Sequence, residues 1–395
     1  MILFLIAFFG GNLLEIVFVS NLLNHHQLSF CQSLRARCDS FFFIATDPSD
    51  EGHGYQSRVE SDFVIRWFDA AERTLAEEKI KNADAVLFGA CPNALIALRM
   101  NENKLSFLFS ERFFKKGVWR RWIPRTRKAV RRRIADYRDR NIHVLCASAY
   151  LPYDLSFFRF PKEKIYQWGY FPAPKSYDDI DSLMAAKQPA SILWVARMID
   201  CKHPEAAVQA AKRLKAEGYR FTLDMIGDGS MYASVKQMIE DNDLSDCVRL
   251  LGSLKPEEVR RHMEQSEIFL FTSDRREGWG AVLNESMNSG CAVVASHAIG
   301  SVPFLLKDRE NGLVYQSGDA DGLYRNVKHL LDHPDERAAY GKRAYQTVAG
   351  LWNAEVAAER FAQLASAILA NGASDLFADG PCSHAKIRKE NGRIR

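Results

Sequence analysis

The chain reads as an α/β protein of two Rossmann-like domains, each with a parallel sheet, and three observations lead there. Its 395 residues exceed what one hydrophobic core ordinarily serves and suit two domains of roughly 200 residues each. Both halves alternate apolar, β-rich runs with stretches long enough for a crossover helix, the signature of βαβ units with a sheet covered on both faces. Between the halves, Phe171-Pro172-Ala173-Pro174-Lys175-Ser176 and the acidic stretch Asp178–Asp181 carry too many breakers and charges for a core element. With 47% hydrophobic and 26% charged residues, the composition is that of a globular protein and excludes a mainly disordered chain.

The elements follow in order. Met1 to Phe9 is apolar but lacks a basic leader, and Gly10, Gly11, Asn12 and Glu15 end the run well short of the roughly 20 residues a membrane span needs. Residues 1–14 are therefore taken as an N-terminal extension. The first domain, 15–172, has candidate strands at Glu15–Ser20, Ser40–Thr46, Ala85–Phe88, Leu105–Phe109 and Val144–Ala147. The linker is placed at 173–190.

The second domain, 191–350, is more regular. Strand Ser191–Ala196 leads to a helix that opens near Pro204, a residue suited to a first helical turn, and stops at Gly218. Strand Phe221–Gly227, the turn Gly227-Asp228-Gly229-Ser230, a helix to Asn242 and strand Val248–Gly252 come next. Helix Pro256–Gln265, strand Ile268–Ser273, helix Ala281–Ser289, strand Ala292–Ser296 and strand Gly312–Tyr315 complete the alternation. The segment 351–370 carries Ala357, Phe361, Leu364 and Ile368 as a helical stripe and is expected to pack back across the first domain. The tail, 371–395, is expected to be disordered.

Two constellations carry chemistry. In Thr272–Cys291 (TSDRREGWGAVLNESMNSGC) a strand end runs through a loop into a helix, with Glu277 in the loop and Glu285 eight positions later. Gly278, Trp279, Gly280 and Ala281 lie between them, where backbone N–H groups and the helix dipole favour an anion. Ionised carboxylates beside an anion site suit sugar hydroxyls, since a carboxylate accepts and a vicinal diol donates twice. In Trp194–Pro204 (WVARMIDCKHP), Arg197 ends a strand and Lys202 lies in the following loop. Both can reach the carboxyl edge of the sheet, where ligands of such sheets bind, and two cations there can neutralise a diphosphate. Each motif alone is equally compatible with solvent-exposed charges.

Taken together, the second half resembles the retaining GT-B glycosyltransferases of family 4, marked by two glutamates separated by seven residues and preceded by an Arg and a Lys after the domain's first strand. The likeness covers roughly Ser191–Leu369. It implies a two-domain GT-B fold with acceptor bound by the first domain and a nucleotide-sugar donor, UDP-linked rather than GDP-linked, bound by the second. It further implies that Arg197 and Lys202 hold the diphosphate and stabilise its growing charge, Glu285 the ribose, and Glu277 the transferred sugar. Gly227, Asp228 and Leu254 would border the base. Transfer with retained configuration follows from the same likeness; no cofactor and no metal are expected, since an Arg and a Lys on the diphosphate can act without one. The motifs Asp179-Ile180-Asp181 and Asp241-Asn242-Asp243 have metal-site spacing but lie in the linker and after a helix.

The first half resembles the family more weakly. Val19-Ser20-Asn21-Leu22-Leu23-Asn24-His25-His26 looks like the first strand-to-helix loop of bacterial surface-polysaccharide transferases, with Asn21, Asn24, His25 and His26 where glycines are usual. Asn21, His25, His26, Glu111 and Arg112 are the acceptor-side candidates. Phe304 stands where the family often carries a glutamate. A lipid-linked or free glycan acceptor in lipopolysaccharide, capsule or exopolysaccharide synthesis is implied. A sugar phosphorylase, an epimerase or a catalytically silent binding subunit are the alternatives.

Charge points to a surface. Glu111–Asn141 holds thirteen Lys/Arg against three Asp/Glu, interleaved with Phe113, Phe114, Trp119, Trp122 and Ile123. This mixture suits the headgroup layer of an anionic membrane. No nucleic-acid motif accompanies it, so nucleic acid is not expected as a partner. The eight cysteines are scattered singly with no C-x-x-C pair and read as reduced, buried residues of a cytoplasmic protein resting on the inner membrane face.

Overall fold

A computed structural model describes residues 14–48, 59–372 and 375–391 of the protein. The expected extension at 1–14 lies outside these residues except for Leu14. Two sheets, every pairing parallel, organise the chain. The first contains β1 (Glu15–Ser20), β2 (Ser40–Ala45), β3 (Val64–Arg66), β4 (Ala85–Phe88), β5 (Ser106–Ser110), β6 (Ile142–Cys146) and β7 (Ile165–Gln167), ordered β3-β2-β1-β4-β5-β6-β7. The second contains β8 (Gln188–Val195), β9 (Thr222–Ile226), β10 (Val248–Gly252), β11 (Ser266–Phe271), β12 (Ala292–Ser296) and β13 (Leu313–Tyr315), ordered β10-β9-β8-β11-β12-β13.

Strand β1 explains the apolar runs. Ile16 and Phe18 face one buried cluster while Val17 and Val19 face another, so neither side meets water. The edge strands β3 and β7, each three residues long, have no periodicity long enough to announce them and are absent from the sequence reading. A helix, Ile180–Ala185, also forms inside the expected linker, capped by the Asp179 carboxylate on the Asp181 N–H at 2.9 Å.

In each sheet the strand order reverses direction, at β1/β4 and at β8/β11. Connections diverge there and open a crevice beyond the carboxyl ends. The two crevices face each other.

The domains share an apolar layer. The helix Ala354–Asn371 starts on Asn353, whose Oδ1 accepts the Val356 N–H at 2.9 Å. It lies across the N-terminal domain with Phe361 fully buried, its ring 4.9 Å from Phe107 and 6.3 Å from Phe30. Side chains buried this completely contribute about 1.5–3 kcal/mol each, so the helix fastens the C-terminal domain to the first helix, His25–Arg35.

The tail corrects the expectation of disorder at its described residues. Gln167 N–H donates to Ser383 C=O at 2.8 Å, Cys382 N–H to Gln167 C=O at 2.9 Å and Ala385 N–H to Ile165 C=O at 2.9 Å, so the segment runs antiparallel along the β7 edge. Backbone groups of a sheet edge need partners, and Cys382 and Ser383 are buried in supplying them. No cue in the tail's polar composition marks this docking.

Candidate functional site

Between the domains lies a cleft of ≈ 1200 Å³ at the two reversal points, lined by His25 and His26 from the first domain and by Arg197, Lys202, Glu277 and Glu285 from the second. Each cleft residue is set by a strand end. The loop after β8 presents Arg197, exposed and without an ion pair among the described residues, and then Lys202. The loop after β11 presents Glu277, which is ion-paired with Lys202, the two side chains being 14% and 15% exposed. Ser273 Oγ–H donates to the same carboxylate at 3.2 Å.

Glu285 sits one turn into the helix Val282–Asn288 and lines the cleft floor. Burial pushes its carboxyl above the ordinary range, opposed by the nearby Arg260 guanidinium. Arg260 is itself fixed from Nη1 to the Glu285 carbonyl and Asn288 Oδ1, both at 3.0 Å, and to Ser289 Oγ at 3.2 Å. It lines the cleft and was not singled out from sequence, where it is one of two adjacent helical arginines.

The turn after β9 is held against the Arg197 loop: Met198 N–H donates to Asp228 C=O at 2.9 Å, and Met231 N–H to Met198 C=O at 2.8 Å. Gly227, at φ 136°, packs so closely on the Ala196 carbonyl that a Cβ would overlap it, so only glycine fits. Asp228 and Leu254 join Gly227 on the wall. Gly280, at φ 81°, and Ala281 line the cleft beside Glu277.

On the other side, the His25 and His26 rings lie 3.8 Å apart between centroids, tilted by 47°. Burial, with the His25 charge as a second cause, pushes His26 down to about 4, and His26 Nδ1 has no hydrogen-bond partner among the described residues. A neutral imidazole therefore borders the cleft, its Nδ1 buried without a partner among the described residues. Together the lining offers cations for an anion, carboxylates for hydroxyls and a neutral hydrogen-bonding ring.

The comparisons with known proteins agree with this geometry. The family described as "Glycosyl transferases group 1" matches residues 178–347. That segment, in the second domain, carries the chain's likeness to the group 1 glycosyltransferases. The amylovoran biosynthesis glycosyltransferase AmsK of Erwinia amylovora is 37% identical over 144 residues, 35% of this chain and 35% of that protein. The putative colanic acid biosynthesis glycosyltransferase WcaL of Escherichia coli is 29% identical over 191 residues, 47% of each chain. The chain thus spans less than half the length of these curated relatives. The solved structure of Anabaena HepE in complex with UDP superposes with a TM-score of 0.66 at 14% identity, covering 88% of this chain and 98% of that one, and the fold is GT-B.

Several of the candidates drawn from the sequence lie elsewhere. Arg112 faces away from the cleft. It is 1% exposed, ion-paired at 3.0 Å to the fully buried Asp154 and at 3.0 Å to Glu390 of the tail. Asp154 also accepts the Phe113 and Phe114 N–H groups at 2.8 and 3.0 Å. Glu111 is ion-paired with Lys115 and abuts Gly278 across the interdomain seam. Asn21 Oδ1 accepts the Ser20 hydroxyl at 3.1 Å and its carbonyl accepts Thr46 and Asp47 N–H at 3.0 and 2.9 Å, tying β1 to β2.

Trp279 and Gly278 also turn from the cleft. The indole is 1% exposed, donates to Asn284 Oδ1 at 2.8 Å and packs on Trp352 and Phe304 at 5.9 and 6.3 Å. Phe304, in the place of the family's usual glutamate, stacks on Trp352 at 5.6 Å and so serves the apolar seam.

Proposed function

We propose that the chain transfers a sugar from a nucleoside-diphosphate donor, UDP-linked rather than GDP-linked, to a glycan or lipid-linked glycan acceptor, with retained configuration, in lipopolysaccharide, capsule or exopolysaccharide synthesis. The observation that carries this is the convergence of Arg197, Lys202, Glu277 and Glu285 on one wall of the interdomain cleft. In this reading Arg197 and Lys202 neutralise the diphosphate and stabilise the charge that grows as the sugar–phosphate bond breaks. Glu285 accepts from the ribose and Glu277 from the transferred sugar. These two cations take the role a metal would otherwise fill. Departure of the phosphate oxygen on the face attacked lets it receive the acceptor proton, so no separate base is required. The names of AmsK, an amylovoran biosynthesis glycosyltransferase, and WcaL, a putative colanic acid biosynthesis glycosyltransferase, support the pathway class.

Thermal unfolding with UDP, GDP, ADP, CMP and dTDP and their sugar conjugates tests the donor site. A single nucleoside diphosphate should stabilise wild type but not Arg197→Ala. Product NMR then reads the anomeric configuration, and inversion would contradict the mechanism. Dependence on inorganic phosphate, or turnover without acceptor, would favour the phosphorylase and epimerase alternatives.

The acceptor is proposed to lie at an anionic membrane, on the inner face of the cytoplasmic membrane. No helix among the described residues is long and apolar enough to cross one. Within the basic segment Phe114 is fully buried, whereas Trp119 and Trp122 are 58% and 70% exposed. Arg125, Lys128 and Arg132 recur on one face of the helix Pro124–Arg133, without ion pairs among the described residues. Exposed indoles beside unpaired cations match the headgroup layer. Flotation should be stronger on anionic than on neutral vesicles, and Trp119→Ala/Trp122→Ala should reduce it. Equal binding to both vesicles contradicts the reading.

A further inference from the structure

The two loops that carry Lys202 and Glu277 are locked together behind the cleft. Trp194 Nε1–H, from β8, donates to Thr272 Oγ1 at 2.8 Å, and the Thr272 hydroxyl donates to the Lys202 carbonyl at 2.6 Å. Asp274 N–H donates to the Cys201 carbonyl at 3.0 Å. Arg276 spans the gap, with Nη1 at 2.6 Å from Asp200 Oδ2 and Nη2 at 2.6 Å from Asp274 Oδ2. His203 completes the cluster in a left-handed backbone conformation, φ 51°. Its Nδ1 lies 2.8 Å from Glu205 Oε1 and its Nε2 3.4 Å from Asp274 Oδ2.

A neutral imidazole donates from one nitrogen only; an imidazolium donates from both. With a carboxylate oxygen at each nitrogen, the ring satisfies its surroundings only when doubly protonated. His203, Glu205, Asp274, Arg276 and Asp200 do not line the cleft, so they act through Lys202 and Glu277.

We infer that His203 and Asp274 are positioning residues, forming an ionic clamp that holds the Lys202 loop and the Glu277 loop in register for a diphosphate and that works only while His203 is an imidazolium. The ligand readout rests on the donor site proposed above; the clamp itself does not. Hydrogen bonds to Asp274 and Glu205 push His203 up to about 9. Burial alone would raise Asp274, but the His203 and Arg276 hydrogen bonds outweigh it and hold its carboxyl well below the ordinary range. The groups facing His203 are Glu205 on its own helix and Asp274 after β11, with Arg276 and Asp200 reached through Asp274. Tyr315, at the end of β13, is close enough to Glu205 that, after burial, this carboxylate also raises its phenol. The clamp therefore stays closed through neutral pH and opens as pH rises past about 9.

The test uses the full chain with His203→Gln, His203→Arg and Asp274→Asn variants. UDP affinity is measured by calorimetry from pH 6 to 10, and backbone hydrogen exchange is followed over residues 199–203 and 272–277. Wild type should lose about ten-fold in affinity between pH 8 and 10, one charge-assisted contact's worth. His203→Gln should bind about ten-fold more weakly at neutral pH and show no alkaline limb. His203→Arg, permanently charged and able to reach both carboxylates, should restore affinity and keep it to pH 10. Persistence of the alkaline limb in both His203 variants places its origin outside the imidazole and overturns the proposal. If wild type binds no nucleoside diphosphate, the donor reading fails and the clamp is judged by exchange alone. Faster exchange of both loops in His203→Gln and Asp274→Asn but not in His203→Arg supports it, and unchanged exchange overturns it.

Discussion

Replacing Glu285 by Gln should make the free protein harder to unfold and its nucleotide complex weaker. The Glu285 carboxylate lies at the cleft floor and receives no hydrogen bond among the described residues, Arg260 being committed to backbone and side-chain oxygens. Its carboxyl is raised in the folded state, chiefly by burial. A group of that kind contributes stability below its unfolded pKa and loses it as pH rises through the folded value. Once ionised, the buried carboxylate is thus a liability that the isosteric amide removes. Donor binding runs the other way. Exchanging a charged acceptor for a neutral one on a ribose diol forfeits roughly 1.5 kcal/mol, about ten-fold in affinity. At UDP equal to 100 times the wild-type dissociation constant, the ligand stabilises wild type by about 2.7 kcal/mol and the variant by about 1.4 kcal/mol. Thermal unfolding with and without UDP reads both effects from one plate. A variant whose free form melts below wild type, or whose UDP-induced shift is undiminished, would refute the assignment of Glu285 to the ribose. Repeating the scan at lower pH adds a check, because wild-type affinity should fall as Glu285 protonates while the Gln variant stays flat.

Four further outcomes follow from the same geometry. Arg197→Ala, at an exposed and unpaired side chain, should change unfolding by no more than about 0.5 kcal/mol yet weaken nucleoside-diphosphate binding ten-fold or more, as read by calorimetry. Lys202→Ala leaves Glu277 without its ion-pair partner and should lower both donor affinity and the melting temperature, in contrast to Arg197→Ala. Gly278→Ala drives a Cβ into the Glu111 carboxylate and should destabilise by about 1–3 kcal/mol in urea; Glu111→Ala in the same chain should recover much of that loss, and strict additivity would show that the two do not meet. Asp154→Asn removes the buried partner of Arg112 and leaves it only Glu390 of the tail; it should lower stability by about 3 kcal/mol in the same assay, while Arg112→Met together with Asp154→Leu should be milder than the single change.

The second domain was legible because its strands are continuous apolar runs punctuated by Gly and Pro, and because Arg197, Lys202, Glu277 and Glu285 fall in the loops and first helical turn that follow β8 and β11, where backbone topology delivers them to one edge. What stayed hidden depends on tertiary partners. Arg112 follows β5 as closely as Arg197 follows β8, yet Arg112 is drawn inward by Asp154, forty-two residues later. Spacing locates a residue at an edge but does not choose its rotamer. Trp279 has the right backbone position for an anion site, but an indole of that size finds its burial against Trp352 and Phe304. Strands β3 and β7 are too short to carry a period, and the tail's place on β7 is set by unpaired backbone groups of the edge rather than by anything in its own residues.

The two cleft cations are not equivalent in the free protein, and the difference bears on how a donor would enter. Arg197 faces the cleft with its charge uncompensated, so it supplies the field an approaching diphosphate meets first. Lys202 is already neutralised by Glu277 and steadied by Ser273 acting on the same carboxylate. A diphosphate that reaches Lys202 must displace Glu277, and the displaced carboxylate is then free to accept from the sugar attached to that diphosphate. On the proposed donor reading, one exchange of partners therefore prepares both halves of the site. It also explains why the supporting residues are concentrated behind these two side chains: the loops must stay in register while their ion pair is broken, and the Thr272 hydroxyl on the Lys202 carbonyl, the Asp274 N–H on the Cys201 carbonyl and the Arg276 ion pairs with Asp200 and Asp274 join the two loops independently of that pair.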